Sequence, residues 1–278
     1  MKVGYAVLYE DGDLVISKNY TILPKAIYED YGEFEDTRFP WEYEYTEIKR
    51  VQILHQIKSN CMKEWFYHCY NLTTLLDFQN LDVSDCKDFS HTFAECERLM
   101  NLSGLQTWNV SNGINFCGMF EQCKSLRNIS ALTNWNVSNG EDFRDMFRSC
   151  KLLEDVTSLQ NWNVSNGKDF SCMFWLCKSL KNILAVTSWN VSSGKNFDSM
   201  FAHCISLQNI NELQNWNLSN GEDFSNIFHN CVNLKEIYLP NTLKQINKNM
   251  FCGCNSNLKI HWKENIYTYQ DLCTYYEF

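Results

Sequence analysis

Only three prolines occur in 278 residues, and no low-complexity linker divides the chain. A hydrophobic fraction of 45% excludes a disordered segment as the main reading. No stretch approaches the roughly 20 apolar residues of a membrane span. The short apolar run after Met1-Lys2 ends at Glu10, Asp11 and Asp13, shorter than the apolar core of a secretory leader, so no leader is expected. An excess of cations is missing too: 33 acidic against 24 basic residues give a net charge of −9. Phosphate backbones and anionic bilayers are met by cationic surfaces, which argues against nucleic acid and against membrane adsorption. The expectation is a soluble, intracellular (cytoplasmic) protein without membrane insertion, with a surface or virion location left open.

Cysteine is plentiful, at 14 residues. Cys69, Cys96, Cys123, Cys150, Cys177, Cys204 and Cys231 stand 27 residues apart. Phe66, Phe93, Phe120, Phe147, Phe174, Phe201 and Phe228 keep the same interval, as do Trp108, Trp135, Trp162, Trp189 and Trp216, with Leu81 in that phase one unit earlier. Three residue types in register at one period mean stacked repeats.

Within a unit, Phe143, Met146, Phe147 and Cys150 fall at i, i+3, i+4 and i+7, which predicts one face of a short helix. Asn139 suits its N-cap, and Glu141 and Asp142 suit the positive end of its dipole. Leu153, Val156 and Leu159 then read as a short strand and an Asn-rich arc. Stacking such units pairs the strands into a parallel sheet with the helices behind it. Strands about 4.8 Å apart make a stack of about eight coils roughly 40 Å long.

The ends depart from the pattern. Tyr5–Glu10, the Asp11-Gly12 turn and Leu14–Ser17 read as a β-hairpin, and Ile48–Ile53 as a further strand. Trp41, Tyr43 and Tyr45 alternate with acidic residues at period 2, predicting a strand whose aromatic face covers the first repeat. Its acidic side, with Glu29, Asp30, Glu33, Glu35 and Asp36 nearby, is a candidate for a basic partner. Met62–Cys69 reads as a degenerate first helix, and the period shortens at Cys254. The expected organisation is a β-rich cap over 1–58, leucine-rich repeats over 59–256 and a closing cap over 257–278.

Trp-Asn-Val-Ser-Asn followed by Phe-x-x-Met-Phe-x-x-Cys-x-x-Leu resembles the repeat of BspA-like leucine-rich-repeat proteins over about residues 60–255. That repeat type is associated with mycoplasma lipoproteins and bacterial surface proteins, and occurs in protists and large DNA viruses. The resemblance implies adhesion or host contact. Two features depart from it: Phe replaces the first Met of the helix motif in most units, and no surface-anchoring signal is visible. Period and resemblance together predict a right-handed α/β solenoid, with a parallel sheet on one face and short helices on the other.

The cysteine column supplies one ligand per coil along a line, whereas zinc needs four converging on a point. Disulfides need Cβ atoms about 3.8 Å apart, closer than stacked coils place them. Buried, reduced packing thiols are the favoured reading. Cys61, Cys86, Cys117, Cys172 and Cys273 lie outside the column, and no neighbouring base marks any of them as reactive. The six histidines form no HExxH pair, and no phosphate loop or GxSxG elbow occurs, so no enzyme, metal or cofactor is expected. The Asn-x-Ser sequons at Asn109, Asn136, Asn163, Asn190 and Asn217 recur because a turn recurs. The tryptophans read as a core wall rather than a gripping ladder.

Binding candidates are positions that vary between repeats on the expected sheet face. One set is Arg127, Glu154, Lys181, Gln208 and Lys235; a second includes Ser130, Thr157, Leu184, Asn211 and Tyr238. The pair Trp175-Leu176 stands where other units carry mostly polar or small residues, as a contact hot spot or as local packing. The leading expectation is a non-enzymatic scaffold for a protein partner. Self-assembly into a virion or surface layer is the first alternative, and a surface adhesin the second.

Overall fold

The structure is a computed structural model, and it describes every residue except 1, 36–39, 42, 247 and 276–278. Asp36 and Glu42 of the acidic lead-in therefore lie outside the described residues.

The chain opens with β1 (Lys2–Tyr9) and β2 (Asp13–Ser17), the expected antiparallel hairpin, with Val7 opposite Val15. β3 (Ile27–Glu35) pairs antiparallel to the other side of β1. β4 (Arg50–Ile53) then runs parallel to β2 and takes β6 (Thr74–Leu76) parallel beyond it. The five-stranded sheet has the order β3-β1-β2-β4-β6. A smaller pair, β5 (Ile57–Lys58) and β7 (Leu81–Asp82), is also parallel. The switch from antiparallel to parallel is how the cap becomes the stack: β2 offers its free edge to the first coil.

Trp41 does cover the first repeat. It is fully buried, its Nε1 donates to the Trp65 carbonyl at 2.8 Å, and its ring stacks on Phe66 at 6.4 Å. In place of the strand expected there, Trp41, Tyr43 and Tyr45 lie in turns, and Tyr43 is 84% exposed. One large side chain plugs the open end of the Phe column, so the flanking residues need no regular pairing.

Through the repeats, successive coils use the same columns of inward-facing side chains. Phe66, Phe93, Phe120, Phe147, Phe174, Phe201 and Phe228 stack ring on ring, with neighbouring centroids from 5.3 Å (Phe66–Phe93) to 5.8 Å (Phe93–Phe120). A second ladder runs Phe89, Phe116, Phe143, Phe170, Phe197 and Phe224. The indoles of Trp108, Trp135, Trp162 and Trp189 are nearly parallel, at 3° to 9°. All five column tryptophans are buried, and each Nε1 donates to a carbonyl 30 residues earlier, as Trp162 does to Leu132 at 2.9 Å. Cys96 through Cys231 repeat that device, Cys150 Sγ donating to the Phe120 carbonyl at 3.2 Å. Both polar-tipped columns are thus satisfied inside an apolar core.

The helices expected over Phe143–Cys150 and its equivalents are absent, and so is the one expected over Met62–Cys69. The segment is a chain of overlapping tight turns. Phe143, Asp145, Phe147 and Ser149 donate their N–H groups to the next coil, at Asp169, Ser171, Met173 and Trp175. The residues between them close local turns, Met146 to Phe143 and Cys150 to Phe147. Asp145 and Ser149 sit in the left-handed region, at φ 57° and 60°. The physical reason is width: the Phe rings of this segment stack 5.3 to 5.8 Å apart from coil to coil, too close for α-helices about 10 Å across to lie side by side. The i, i+3, i+4, i+7 pattern is met equally well by two turns, each returning a Phe or Met inward.

The expected parallel sheet is present only in part. Between the caps it shrinks to single-residue parallel bridges, one column running Asp88, Asn115, Asp142, Asp169, Asn196 and Asp223 and another linking Asn101 to Asn128 and Asp155 to Asn182. Short 3₁₀ turns follow at Leu105–Thr107, Ser130–Leu132, Thr157–Leu159 and Glu212–Asn215, with one α-helical turn, α1 (Leu184–Thr187). The bridges stay short because each is followed by an Asx corner: Asp142 Oδ1 accepts from Arg144 N at 3.0 Å, and Asn128 Oδ1 from Ser130 N at 2.8 Å. The sequon asparagines form a third corner, Asn136 Oδ1 accepting from Ser138 N. Asn139 is no helix cap: its Nδ2 donates to the Ser111 carbonyl of the preceding coil at 2.8 Å. At the adjoining Gly140, a Cβ would lie 2.4 Å from Phe143 Cζ, which explains why glycine recurs there.

Regular pairing returns at the C-terminal end. β8 (Asn209–Ile210), β9 (Glu236–Tyr238) and β10 (Lys259–Trp262) are parallel, and β11 (Asn265–Thr268) folds back antiparallel on β10 before α2 (Tyr269–Tyr275).

Candidate interaction surface

The first variable set forms one line down the stack. Arg127, Glu154, Lys181, Gln208 and Lys235 are all exposed. Lys181 N donates to Glu154 O and Lys235 N to Gln208 O, so these pairs are backbone neighbours, and Arg127 N donates in the same way to Met100 O of the coil before. Lys181 Nζ also pairs with Glu154 Oε2 at 2.7 Å, and that bond holds the Glu154 carboxyl below its usual range. In the second set, Ser130 and Thr157 are exposed beside Leu184, which is 55% exposed. Val186 takes the buried place that Leu159 fills one coil earlier, so Leu184 is left outside. A shallow depression lies here, lined among others by Lys181, Asn182, Leu184, Gln208 and Asn211. Tyr238 is half-buried and stacked on His261 at 4.0 Å, so much of its ring is occupied by the fold.

Trp175 and Leu176 lie in the turn just before Cys177, on a different side of the coil. Both are half-buried. The Arg148 guanidinium lies over the Trp175 ring at 4.2 Å, and His203 meets its edge at 6.3 Å. Local packing therefore accounts for part of this pair. Leu176 adopts φ 61°, a left-handed conformation unusual for leucine. Burial, then the neighbouring His229 and Lys178, lower the His203 pKa.

Sequence reasoning missed a polar cluster on this turn side. His91 Nδ1 lies 3.6 Å from Glu121 Oε2, and its Nε2 lies 4.0 Å from Cys117 Sγ. Arg144 Nη2 donates to the same sulfur at 3.5 Å. This is the nearest approach to a thiol–imidazole–carboxylate constellation. Burial nonetheless raises the Cys117 pKa against the pull of Arg144, which keeps the sulfur a thiol rather than a nucleophilic thiolate. Burial likewise raises the carboxyls of Glu121, Asp142 and Asp145. The available signal was the 27-residue interval itself: residues 26 or 27 apart become neighbours, so His91 should have been compared with Cys117.

Column thiols are held further from reactivity: burial pushes Cys69, Cys150 and Cys177 far up. Of the outlying cysteines, Cys86 is buried and Cys61 is partly buried, while burial raises Cys172 to about 12. Among the described residues no His, Cys, Asp or Glu group is arranged to hold a metal ion, and no helix is long and apolar enough to cross a membrane.

Stacked coils with constant buried columns and variable exposed ones define a repeat protein of leucine-rich character. The chain belongs to the family described as "Mycoplasma protein of unknown function, DUF285", which matches residues 60–185 and 153–262. No curated protein matches it. Among solved structures, it is similar to a leucine-rich cell surface protein from Faecalibacterium prausnitzii, at 15% identity, 94% coverage of both chains and a TM-score of 0.26. A leucine-rich-repeat protein from Eubacterium ventriosum is 12% identical, with 90% of this chain and 92% of that one covered and a TM-score of 0.32. One from Bacteroides ovatus is 15% identical, with 95% and 99% covered and a TM-score of 0.24. Likenesses this loose transfer no residue and no role.

Proposed function

We propose that the chain is a non-enzymatic scaffold that binds a protein partner through the exposed columns of its repeats. One observation carries this reading. The same coils that hold Phe, Cys and Trp invariant inside present a different side chain outside at each step, from Arg127 to Glu154, Lys181, Gln208 and Lys235. Stacking needs only the buried set, so the outer set is open to recognition. The exposed Leu184 and the Arg148–Trp175 pair supply apolar and aromatic area beside it. The finer architecture belongs to the same proposal: a BspA-like solenoid, wound right-handed in about eight coils.

An intracellular location accompanies this reading. Its support is the column thiols Cys96 through Cys231, which donate to carbonyls inside the core.

The test is affinity purification from native lysate with quantitative mass spectrometry, comparing the natural chain with a variant carrying Trp175→Ala, Arg127→Ala, Lys181→Ala and Gln208→Ala. Loss of one stoichiometric protein is the expected result. Undiminished capture by the variant overturns the surface.

A further inference from the structure

We propose that the partner segment read by this face is an acidic, extended polypeptide, held by the cations of the coils that contain Cys123, Cys150 and Cys177. This rests on the scaffold reading and names the chemistry of its partner. The chain as a whole is acidic, at −9. Yet the residue after each of these three cysteines is a lysine, Lys124, Lys151 and Lys178, and Arg127 and Lys181 follow three residues further on.

These cations belong to adjoining coils. Ser179 N donates to Lys151 O at 3.2 Å, and Lys181 N to Glu154 O at 3.1 Å. In the same columns only Glu97 and Glu154 offset them. Glu97 is taken by Lys124 and Glu154 by Lys181. Arg127, Lys151 and Lys178 have no ion pair among the described residues, and Arg127 and Lys178 are exposed.

The other lysine column shows that stacking does not require this. There Lys168 pairs with Glu141 at 2.7 Å and Lys195 with Glu222 at 2.9 Å, so each lysine has its own carboxylate. Lys151 and Lys178 instead have Lys124 on one side and Ile205 on the other. Like charges on successive coils repel, and an anionic partner relieves that repulsion. The adjoining depression favours a polypeptide over a polyanionic glycan. It offers the exposed Leu184 to an apolar side chain and the amides of Asn182 and Gln208 to peptide groups, with Lys181 and Glu212 as the charged groups on its lining.

The experiment uses the full chain and fluorescent probes: an extended peptide of alternating Glu and Ser with one Leu, its Gln-for-Glu analogue, and a heparin fragment as competitor. The Glu probe is expected to bind at low salt about tenfold more tightly than the Gln probe, and to weaken as salt rises. Lys151→Glu with Lys178→Glu should lower that affinity about tenfold, while Lys168→Glu with Lys195→Glu, an equal change in net charge, should leave it within about twofold. Equal binding of the Gln probe, no binding of the Glu probe, or indifference to the Lys151/Lys178 reversal overturns the proposal. Binding of heparin alone overturns the polypeptide assignment. If the four-alanine variant loses its protein partner while the Lys151/Lys178 reversal keeps it, the scaffold reading stands and the acidic segment falls.

Discussion

The N-terminal cap and the repeats are built on the same inter-strand spacing but are held in different ways. In the cap, β1 is eight residues long and is bonded on both edges, to β2 and to β3. In the middle repeats the ladder is one residue wide at each bridge, and order comes from side chains stacked on their own copies. A sheet spreads a lesion across its neighbours in two directions, whereas a stack passes it along one axis. Backbone strain is divided the same way. Among the described residues before Glu64, those at positive φ are glycines, Gly12 and Gly32. In the repeats the equivalent corners are taken by Asp145, Ser149, Leu176 and His203.

The largest expected effect that tests this contrast is Trp162→Ala. It removes two indole stacks and the bond to the Leu132 carbonyl, and should cost about 3–5 kcal/mol in urea unfolding. Hydrogen exchange should show protection lost first in the coils flanking residue 162, with the β1–β2 amides unaffected. Uniform loss across cap and repeats would break the comparison.

A smaller effect separates the two regions by pH. Burial pushes the Asp13 carboxyl of the cap up, but hydrogen bonds and charges from Arg50 and Lys25 outweigh it and hold the group below its ordinary value. Its stabilisation is present above the ordinary carboxylate pKa and is lost as pH falls through the depressed one. In the repeats, burial raises Glu121, Asp142 and Asp145, so their contribution is present below the ordinary pKa and is lost as pH rises through the raised values. The unfolding midpoint should therefore peak at mildly acidic pH. Asp145→Asn should flatten the fall on the alkaline side and Asp13→Asn the fall on the acid side; a single shared response to both would contradict the regional split.

The smallest effect sharpens the strain argument. Leu176→Asn should stabilise the repeats by up to about 1 kcal/mol, because asparagine tolerates the left-handed region better than leucine. Thermal unfolding checks this, and a lower midpoint would mean that the half-buried leucine side chain contributes more than its backbone costs.

Much of this was legible in particular residues. The 27-residue register of Cys150, Phe147 and Trp162 announced the buried columns, and Asp11-Gly12 marked the hairpin. The turn ladder over Phe143–Cys150 was not legible, and a helix was expected in its place, because periodicity reports which residues face inward and not how the backbone returns them there. A second signal was available: Asp145, Gly118, Asn226 and Asn230, of types that tolerate positive φ, recur at the two corner positions of the turn. Of the candidate surface, the exposed line Arg127–Lys235 was readable from its variability. The coupling of Arg148 to Trp175 was not, since it joins residues 27 apart that touch only once the coils stack.

By itself the sequence determined that units repeat, which side chains each unit must bury, and where the turns recur, since those follow from residue type and interval alone. Only the tertiary structure decided that the Phe-Met-Phe-Cys segment is a turn ladder rather than a helix. It also decided which lysines meet a carboxylate and which have no ion pair among the described residues. Both depend on coil-to-coil distance, a quantity set when the rings of one coil settle onto those of the next and absent from any single repeat.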